Sequence, residues 1–262
     1  MIICADDYGL REDIDQAILG LCSLGKLSAV SCMVVFKRCD ATALNGLLAH
    51  QAKVDIGLHL CLTDEGLPMA LPLPECQLPD YKSLFRRALV GKINPQEISR
   101  QVSVQYKLFV TKCGRRPDHI DGHLHAHQWP GARQGLVDFV RRLPPEHRPY
   151  IRNTRMSVGT MRRQKLCWLK SVFIGLIGGW MQNALHAVNV PTNDGFAGIY
   201  DFKQWRRYPC YLPKFADCLR EPNGILVVHP GFEENWRRQE FESLRDFAAL
   251  DGRLNRFQHE SL

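Results

Sequence analysis

The stretch His119-Ile-Asp-Gly-His-Leu-His-Ala-His127 holds four of the protein's ten histidines within nine residues. In an extended strand, successive side chains alternate between two faces, so the four histidines and Asp121 would share one face. Imidazoles and a carboxylate that are buried without partners cost free energy. The stretch therefore predicts a strand whose polar face is compensated by a ligand, and a divalent metal ion is the simplest one. A solvated histidine-rich loop or a chance cluster is the alternative interpretation.

Length and composition predict one folded domain over residues 1–262. The chain is 45% apolar and 23% charged, which is the ordinary range for globular proteins. Its formal net charge is +7, but the basic residues are scattered in Arg pairs such as Arg237-Arg238, and no nucleic-acid motif accompanies them. We interpret such pairs as solvated helix faces. No nucleic-acid partner is expected, whereas an anionic or phosphorylated substrate is compatible with the charge.

The cysteine content and the hydropathy of the chain indicate the cell compartment of the protein. The ten cysteines form no C-x-x-C pair, and Cys4, Cys32 and Cys61 lie in apolar runs, as buried free thiols do. Together with the absence of a signal-peptide pattern, this favours a cytoplasmic protein. The most apolar window, residues 172–181, is too short for a transmembrane segment, which needs ~20 residues. It predicts a core helix or a lid, and it is compatible with shallow peripheral contact with a membrane.

Apolar runs alternate with helical patterns along the chain. The predicted strands are residues 1–5, 28–35, 54–62, the histidine stretch, a strand from 150, 196–200 and 224–231. The predicted helices are residues 14–24, 41–52, 95–110 and 130–143, and residues 66–82 are expected to form a long loop. This alternation indicates parallel βα units and an α/β barrel.

Chemically functional side chains recur near the ends of these strands, namely Asp6, Asp7, His59, His123, Arg152 and His229. A barrel assembles its site at the carboxyl ends of its strands. One carboxylate and two imidazoles suit a divalent ion, a second carboxylate can act as base, and a further histidine can protonate a leaving amine. The pattern indicates metal-assisted amide hydrolysis. Asp6-Asp7 as a capping turn, and His59 as a satisfied core residue, are the alternatives.

Four ordered motifs resemble those of the YdjC-like family, which includes the chitooligosaccharide deacetylases and the hopanoid-biosynthesis deacetylases. They are Ala5-Asp-Asp-Tyr-Gly-Leu10, Gly57-Leu-His-Leu60, Pro117–His127 and His229-Pro-Gly231. The resemblance implies an irregular (β/α) barrel of the glycoside hydrolase/deacetylase type. It also implies a divalent ion, with Mg²⁺ as first choice and Zn²⁺ or another ion as alternatives, and removal of N-acetyl groups from amino sugars. Tyr8 and Ala29 depart from the family pattern.

The resemblance also implies roles for individual residues. Asp7, His59 and His123 would hold the metal, Asp6 would be the general base, His229 the general acid, and Arg152 would orient the base. His125 and His127 would touch substrate or replace His123 as ligand. A homodimer is expected from the family alone.

Two other functions remain open from the sequence. A metal-dependent phosphoester hydrolase could use the same ligands, and an inactive homologue could bind sugar without turnover. The apolar window and the basic charge lean towards a lipid-linked or anionic form of the acetylated sugar.

Overall fold

The computed structural model describes residues 1–67, 69–70, 78–157, 159–160, 168–248 and 252–259. The strands are β1 (Ile2–Tyr8), β2 (Ala29–Cys32), β3 (Asp55–Leu60), β4 (His119–Gly122), β5 (Tyr150–Ile151), β6 (Gly195–Ala197) and β7 (Gly224–Val228). The helices are α1 (Glu12–Ser23), α2 (Ala41–Leu48), α3 (Tyr81–Leu89), α4 (Pro95–Cys113), α5 (Ala132–Arg141), α6 (Trp168–His186), α7 (Tyr208–Cys218) and α8 (Asn235–Asp246). Among these residues, no helix combines the length and apolar character that a bilayer crossing requires.

The strands form one parallel sheet in the order β5-β4-β3-β2-β1-β7-β6. Its edges meet through a parallel bridge between Ile151 and Thr192, the latter lying just before β6. The N–H of Ile151 donates to the carbonyl of Pro191 over 2.9 Å, and Thr192 Oγ1 donates to the carbonyl of Ile151 over 2.6 Å. The predicted irregular (β/α) barrel is confirmed.

Alternation along the strands separates an apolar outer face from a partly polar interior. Ile3, Val30, Ile56, Leu58 and Ile120 belong to the main core shared with the helices. The intervening residues Cys4, Asp6, Ser31, His119 and Asp121 contact one another inside the barrel. The interior of the barrel thus holds a buried polar cluster that reaches the carboxyl ends of the strands at Asp6 and Asp121.

The histidine stretch differs from its prediction, because β4 ends at Gly122. A 3₁₀ segment, His123–Gln128, follows, and Leu124 and His125 have left-handed φ values of 55° and 56°. A Cβ on Gly122 would lie 2.8 Å from Nδ1 of His127, so the absence of a side chain lets the chain fold back here. The histidines therefore do not share one face.

His119 has protein partners for Nε2 and for its ring face, while its buried Nδ1 has no hydrogen-bond partner among the described residues. Its Nε2 lies 2.8 Å from Oγ of Ser31, and its ring stacks on Tyr150. Burial, with Arg152 nearby, lowers the pKa of His119 to about 3, so the ring is neutral. Protein groups therefore provide part of the compensation that the sequence interpretation assigned to a metal.

Other boundaries shift by a few residues, and α3, α7 and α8 have no counterpart among the predicted helices. β2 ends at Cys32 rather than at residue 35, because residues 34–35 enter a turn. Cys4, Cys32 and Cys61 are buried free thiols, as predicted. Of the predicted 66–82 loop, residues 68 and 71–77 lie outside the described residues.

Candidate active site

Asp6 and Asp7 end β1, and both carboxylates line one cavity although each residue is only 2% exposed. Asp7 has a φ of +72°, a conformation that residues other than glycine rarely adopt. The strand alternation is interrupted there, so Asp6 meets Arg152 while Asp7 meets His123 and Arg237. Their separate partners suit separate roles.

Arg152 holds the carboxylate of Asp6 with two parallel hydrogen bonds, 2.7 Å from Nη1 and 2.6 Å from Nη2. Both side chains are almost completely buried. Burial opposes ionisation of Asp6, but Arg152 outweighs it and holds the pKa of the carboxyl well below its usual range. Asp6 is therefore an oriented anion, as the predicted pairing with Arg152 requires.

The same guanidinium contacts Asp121, which in turn orients His59. Asp121 Oδ1 lies 2.6 Å from Nδ1 of His59. Because an ionised carboxylate only accepts, the network assigns the ring proton to Nδ1. His59 therefore presents the lone pair of Nε2 to the cavity, an arrangement typical of histidine metal ligands.

The side chains of Asp7, His59 and His123 converge, with one potential ligand atom from each lying within 4.8 Å of the others. Asp7 Oδ1 is 3.5 Å from Nε2 of His59 and 3.1 Å from Nδ1 of His123. Their donor set, one carboxylate oxygen and two imidazole nitrogens, fits a divalent ion and faces a cavity that leaves room for other ligands. These are the three residues expected to hold a metal.

Two other buried groups have ligand-type atoms equally close, Cys4/His119/Asp121 and Asp6/His59/Asp121. Both include Asp121, which already contacts the Arg152 guanidinium. Both carboxylate oxygens of Asp121 are thus engaged, Oδ1 by Nδ1 of His59 and Oδ2 by Ser31 and Arg152. Arg237, by contrast, engages Oδ2 of Asp7 and leaves Oδ1 directed at the two histidines. The Asp7/His59/His123 group therefore has the strongest case as a metal site.

His229 follows β7 and lines the same cavity as the metal candidates. Its Nε2 is 4.0 Å from Oδ2 of Asp6, and its backbone N–H donates to Glu240 over 2.5 Å. Burial lowers the pKa of its imidazole to about 4. Its side chain is 20% exposed, so Nε2 is positioned to meet a bound molecule.

Arg237 is a site residue that the sequence interpretation missed. It is buried, not solvated, and its Nη2 donates to Oδ2 of Asp7 over 2.7 Å. Burial opposes ionisation of Asp7, but Arg237 and His123 hold the pKa of that carboxyl well below its usual range. The buried residues Arg237, Glu240 and Leu244 recur at helical spacing on α8, which is the signal that could have identified it.

Glu65 is a second missed residue near the candidate metal ligands. Its Oε1 is 3.6 Å from Nε2 of His123 and accepts from Thr63 Oγ1 over 2.7 Å. It thus lies on the opposite side of the His123 ring from Asp7.

His125 and His127 are separated by the fold. His125 lines the cavity, and its ring packs edge-to-face on Phe196 at 5.5 Å. His127 has no exposed surface, does not line the cavity, and contacts the carbonyl of Arg152 through Nε2 at 2.9 Å. The structure corrects the expectation for His127, which supports the backbone of Arg152 rather than reaching substrate.

The cavity has a volume of about 370 Å³ and combines this polar end with aromatic walls. Phe202 and Trp236 stack at 4.2 Å, and both rings lie about 6 Å from His229. Tyr81, Trp129 and Phe173 form the other side. Such a pocket suits a ligand with both apolar surface and a few polar groups.

The fold and site define an α/β barrel with a buried carboxylate–histidine centre at the carboxyl ends of its strands. Residues 1–253 match the model of the YdjC-like protein family, and the chain belongs to that family.

Known relatives and a solved structure agree with this assignment. The chain is 25% identical over 260 residues to a carbohydrate deacetylase of Xenopus laevis, covering 88% of this chain and 81% of that protein. It is 29% identical over 144 residues to a chitooligosaccharide deacetylase of Enterobacter sp. (strain 638), covering 54% and 56%. A crystal structure of a proposed cellobiose-phosphate cleavage protein from Enterococcus faecalis superposes with a TM-score of 0.68 at 20% identity, covering 97% and 96% of the two chains. That last similarity concerns the fold alone.

Proposed function

We propose that this protein is a divalent-metal-dependent N-deacetylase that acts on an acetylated amino sugar. The proposal rests on the residues that meet at one cavity. They are the metal candidate Asp7/His59/His123, Asp6 with its hydrogen bonds to Arg152, and His229. The names of the relatives, carbohydrate and chitooligosaccharide deacetylase, support the substrate class.

Asp7, His59 and His123 would hold the ion, which when bound supplies Lewis-acid activation of water and of the acetyl carbonyl. Two imidazoles and one carboxylate suit Zn²⁺ and similar ions better than Mg²⁺, which prefers oxygen ligands. Mg²⁺ remains the expectation from the family, so both ions belong in any reconstitution.

The chain's own residues supply the proton transfers. As water adds to the acetyl carbon, its proton passes to the carboxylate of Asp6, which Arg152 keeps oriented. When the C–N bond breaks, the proton that Asp6 has taken up would pass through Nε2 of His229, 4.0 Å from Oδ2 of Asp6, to the leaving nitrogen, which returns both side chains to their starting states. The products are acetate and the free amino sugar. The faces of Phe202 and Trp236 beside His229 offer a flat surface for the sugar ring.

The experiment is acetate release from a panel of N-acetylated amino sugars, compared between the wild type and Asp6→Asn. We expect the variant to lose about 10²- to 10⁴-fold in kcat while retaining its metal, because only the base is removed. Asp138→Asn, which changes an exposed carboxylate on α5, is the matched control and should keep full activity. Equal activity of Asp6→Asn would contradict the mechanism, and turnover of chromogenic phosphate esters alone would contradict the reaction.

A further inference from the structure

Helix α6 is packed against the barrel by one apolar face. Ile174, Ile177, Met181 and Leu185 are buried at helical spacing. The backbone approach is close, since a Cβ on Gly178 would lie 2.3 Å from the backbone nitrogen of Arg155. This face attaches the helix to the barrel.

A second apolar stripe flanks the buried face of α6. Phe173, Leu176 and Trp180 follow at i, i+3 and i+7, and they are 43%, 55% and 53% exposed. A helix whose apolar surface extends so far beyond its buried face is unusual on a protein surface in water. Exposed apolar surface of this kind is typical of an interaction site.

The stripe continues towards the mouth of the cavity. The ring of Phe173 lies 6.3 Å from that of Phe85, and Tyr81, 44% exposed, stacks on Phe85 at 6.2 Å. Leu124 is 46% exposed, and Tyr81, Leu124 and Phe173 also line the cavity. We call Tyr81, Leu124, Phe173, Leu176 and Trp180 the outer apolar face.

Cations border this face. The guanidinium of Arg133 lies 5.8 Å from the ring of Trp180, and Lys170 Nζ lies 5.3 Å from the ring of Phe202 across the cavity mouth. Arg86 and Arg87 occupy the last turn of α3, beside Phe85. The 19 residues of α6 contain no aspartate or glutamate. The border is thus basic, in a chain whose net charge is +7.

We propose that the outer apolar face docks on an anionic lipid bilayer. Phe173, Leu176 and Trp180 would enter the boundary between headgroups and acyl chains, while the bordering cations would contact lipid phosphates. A second copy of this chain fits less well, because a two-fold axis through the face would set its basic border against itself. Docking would turn the cavity mouth towards the membrane, and it does not depend on the proposed reaction.

The test is flotation of the full chain with vesicles of phosphatidylglycerol and phosphatidylcholine, and with phosphatidylcholine alone. The wild type should bind the anionic vesicles, more weakly at high salt. The variant Phe173→Ser/Leu176→Ser/Trp180→Ser should lose about tenfold or more in partitioning. Leu24→Ser, at the end of α1 and 54% exposed, is the control and should bind as the wild type.

A charge variant provides a second test of the proposal in case the triple variant does not fold. Arg133→Glu/Lys170→Glu leaves the apolar stripe intact and should weaken binding to anionic vesicles only. The proposal is overturned if the wild type does not bind anionic vesicles, or if the folded triple variant or the charge variant binds as tightly as the wild type. A dimer that the triple variant abolishes, without vesicle binding, would assign the face to a second copy and would also overturn it. Binding is measured without sugar, so failure of the deacetylase proposal would leave this result unaffected.

Discussion

At the scale of single residues, Arg152 links the two halves of the site. Its guanidinium binds both oxygens of Asp6 and also contacts Asp121, which orients His59. One buried cation therefore sets the ionisation of the proposed base and, through Asp121, the tautomer of a proposed metal ligand. Lysine could not reproduce this, because it lacks the planar fork that makes two parallel bonds.

The proposed role of His229 as proton donor can be tested by substitution. His229→Gln should lower kcat on an N-acetyl sugar by about 10²- to 10⁴-fold, because the amine leaves poorly without a proton. The loss should be much smaller on 4-nitrophenyl acetate, whose leaving group departs as an anion. Steady-state kinetics on both substrates measure the difference, with the exposed His186→Gln on α6 as control. Equal losses on the two substrates would contradict proton donation by His229.

Most of the residues around the cavity could be predicted from the sequence, but some of the residues that contact them could not. Asp6, Asp7, His59, His123 and His229 are recognisable because polar side chains at the ends of apolar strands are conspicuous. Arg237 is not, because a basic residue on a largely polar helix looks solvated until the fold brings α8 to Asp7. Two histidines of the stretch, His123 and His125, face the cavity, and this depends on the left-handed turn at Leu124 and His125, which no alternation rule predicts.

At the scale of elements, the barrel interior requires a glycine on β3. A Cβ on Gly57 would lie 2.2 Å from Nε2 of His119, the neighbouring inward side chain on β4. Helices α7 and α8, which were not predicted, have weaker sequence patterns than the strands. Half of the residues of α8 are charged, and α7 carries Pro213 within it. Strand ends with chemical side chains are therefore easier to predict here than the helices that cover them.

Gly57→Ala should destabilise the fold by about 1–3 kcal/mol, because the methyl group overpacks the barrel against His119. Urea unfolding measures the change. Gly179→Ala on α6, where an added Cβ meets nothing within 4 Å, is the matched control and should be neutral or slightly stabilising. Adding His119→Ala to Gly57→Ala should cost less than the sum of the two single changes. Wild-type stability of Gly57→Ala would contradict the close approach.

At the scale of the whole molecule, buried neutral histidines make stability depend on pH. Burial lowers the pKa of His119 to about 3 and of His127 to about 4. The unfolded chain therefore takes up protons first as pH falls below about 6.5, and the free energy of unfolding decreases between that pH and about 4. Asp15 and Glu240 act in the opposite direction, because burial raises their pKa values to about 6 and 7.

The contribution of His119 to this pH dependence can be isolated by comparing how steeply the free energy of unfolding changes with pH in the wild type and in a variant. Across this window the free energy of unfolding of His119→Gln should change with pH less steeply than that of the wild type, by about 1 kcal/mol per pH unit. Urea unfolding of metal-free protein at about pH 5, 6 and 7 gives both slopes. Identical slopes would show that His119 is not held neutral in the folded state.

Metal binding should release protons. Burial disfavours the charged form of His123, but its hydrogen bond to Asp7 outweighs this and raises its pKa to about 9 in the absence of metal. Because a metal binds only the neutral imidazole, uptake near pH 7.5 should release about one proton per ion. Calorimetric titration in two buffers of different ionisation enthalpy measures it, with His186→Gln as control. Metal uptake without proton release would contradict ligation by His123.

The most direct test of the central claim is acetate release by metal-stripped protein, before and after titration with Zn²⁺, Mg²⁺, Mn²⁺ or Co²⁺. We expect no release from the stripped protein, recovery that saturates at one ion per chain, and no recovery in Asp7→Asn. Full acetate release by the stripped wild type, or equal recovery in Asp7→Asn, would contradict a metal held by Asp7, His59 and His123.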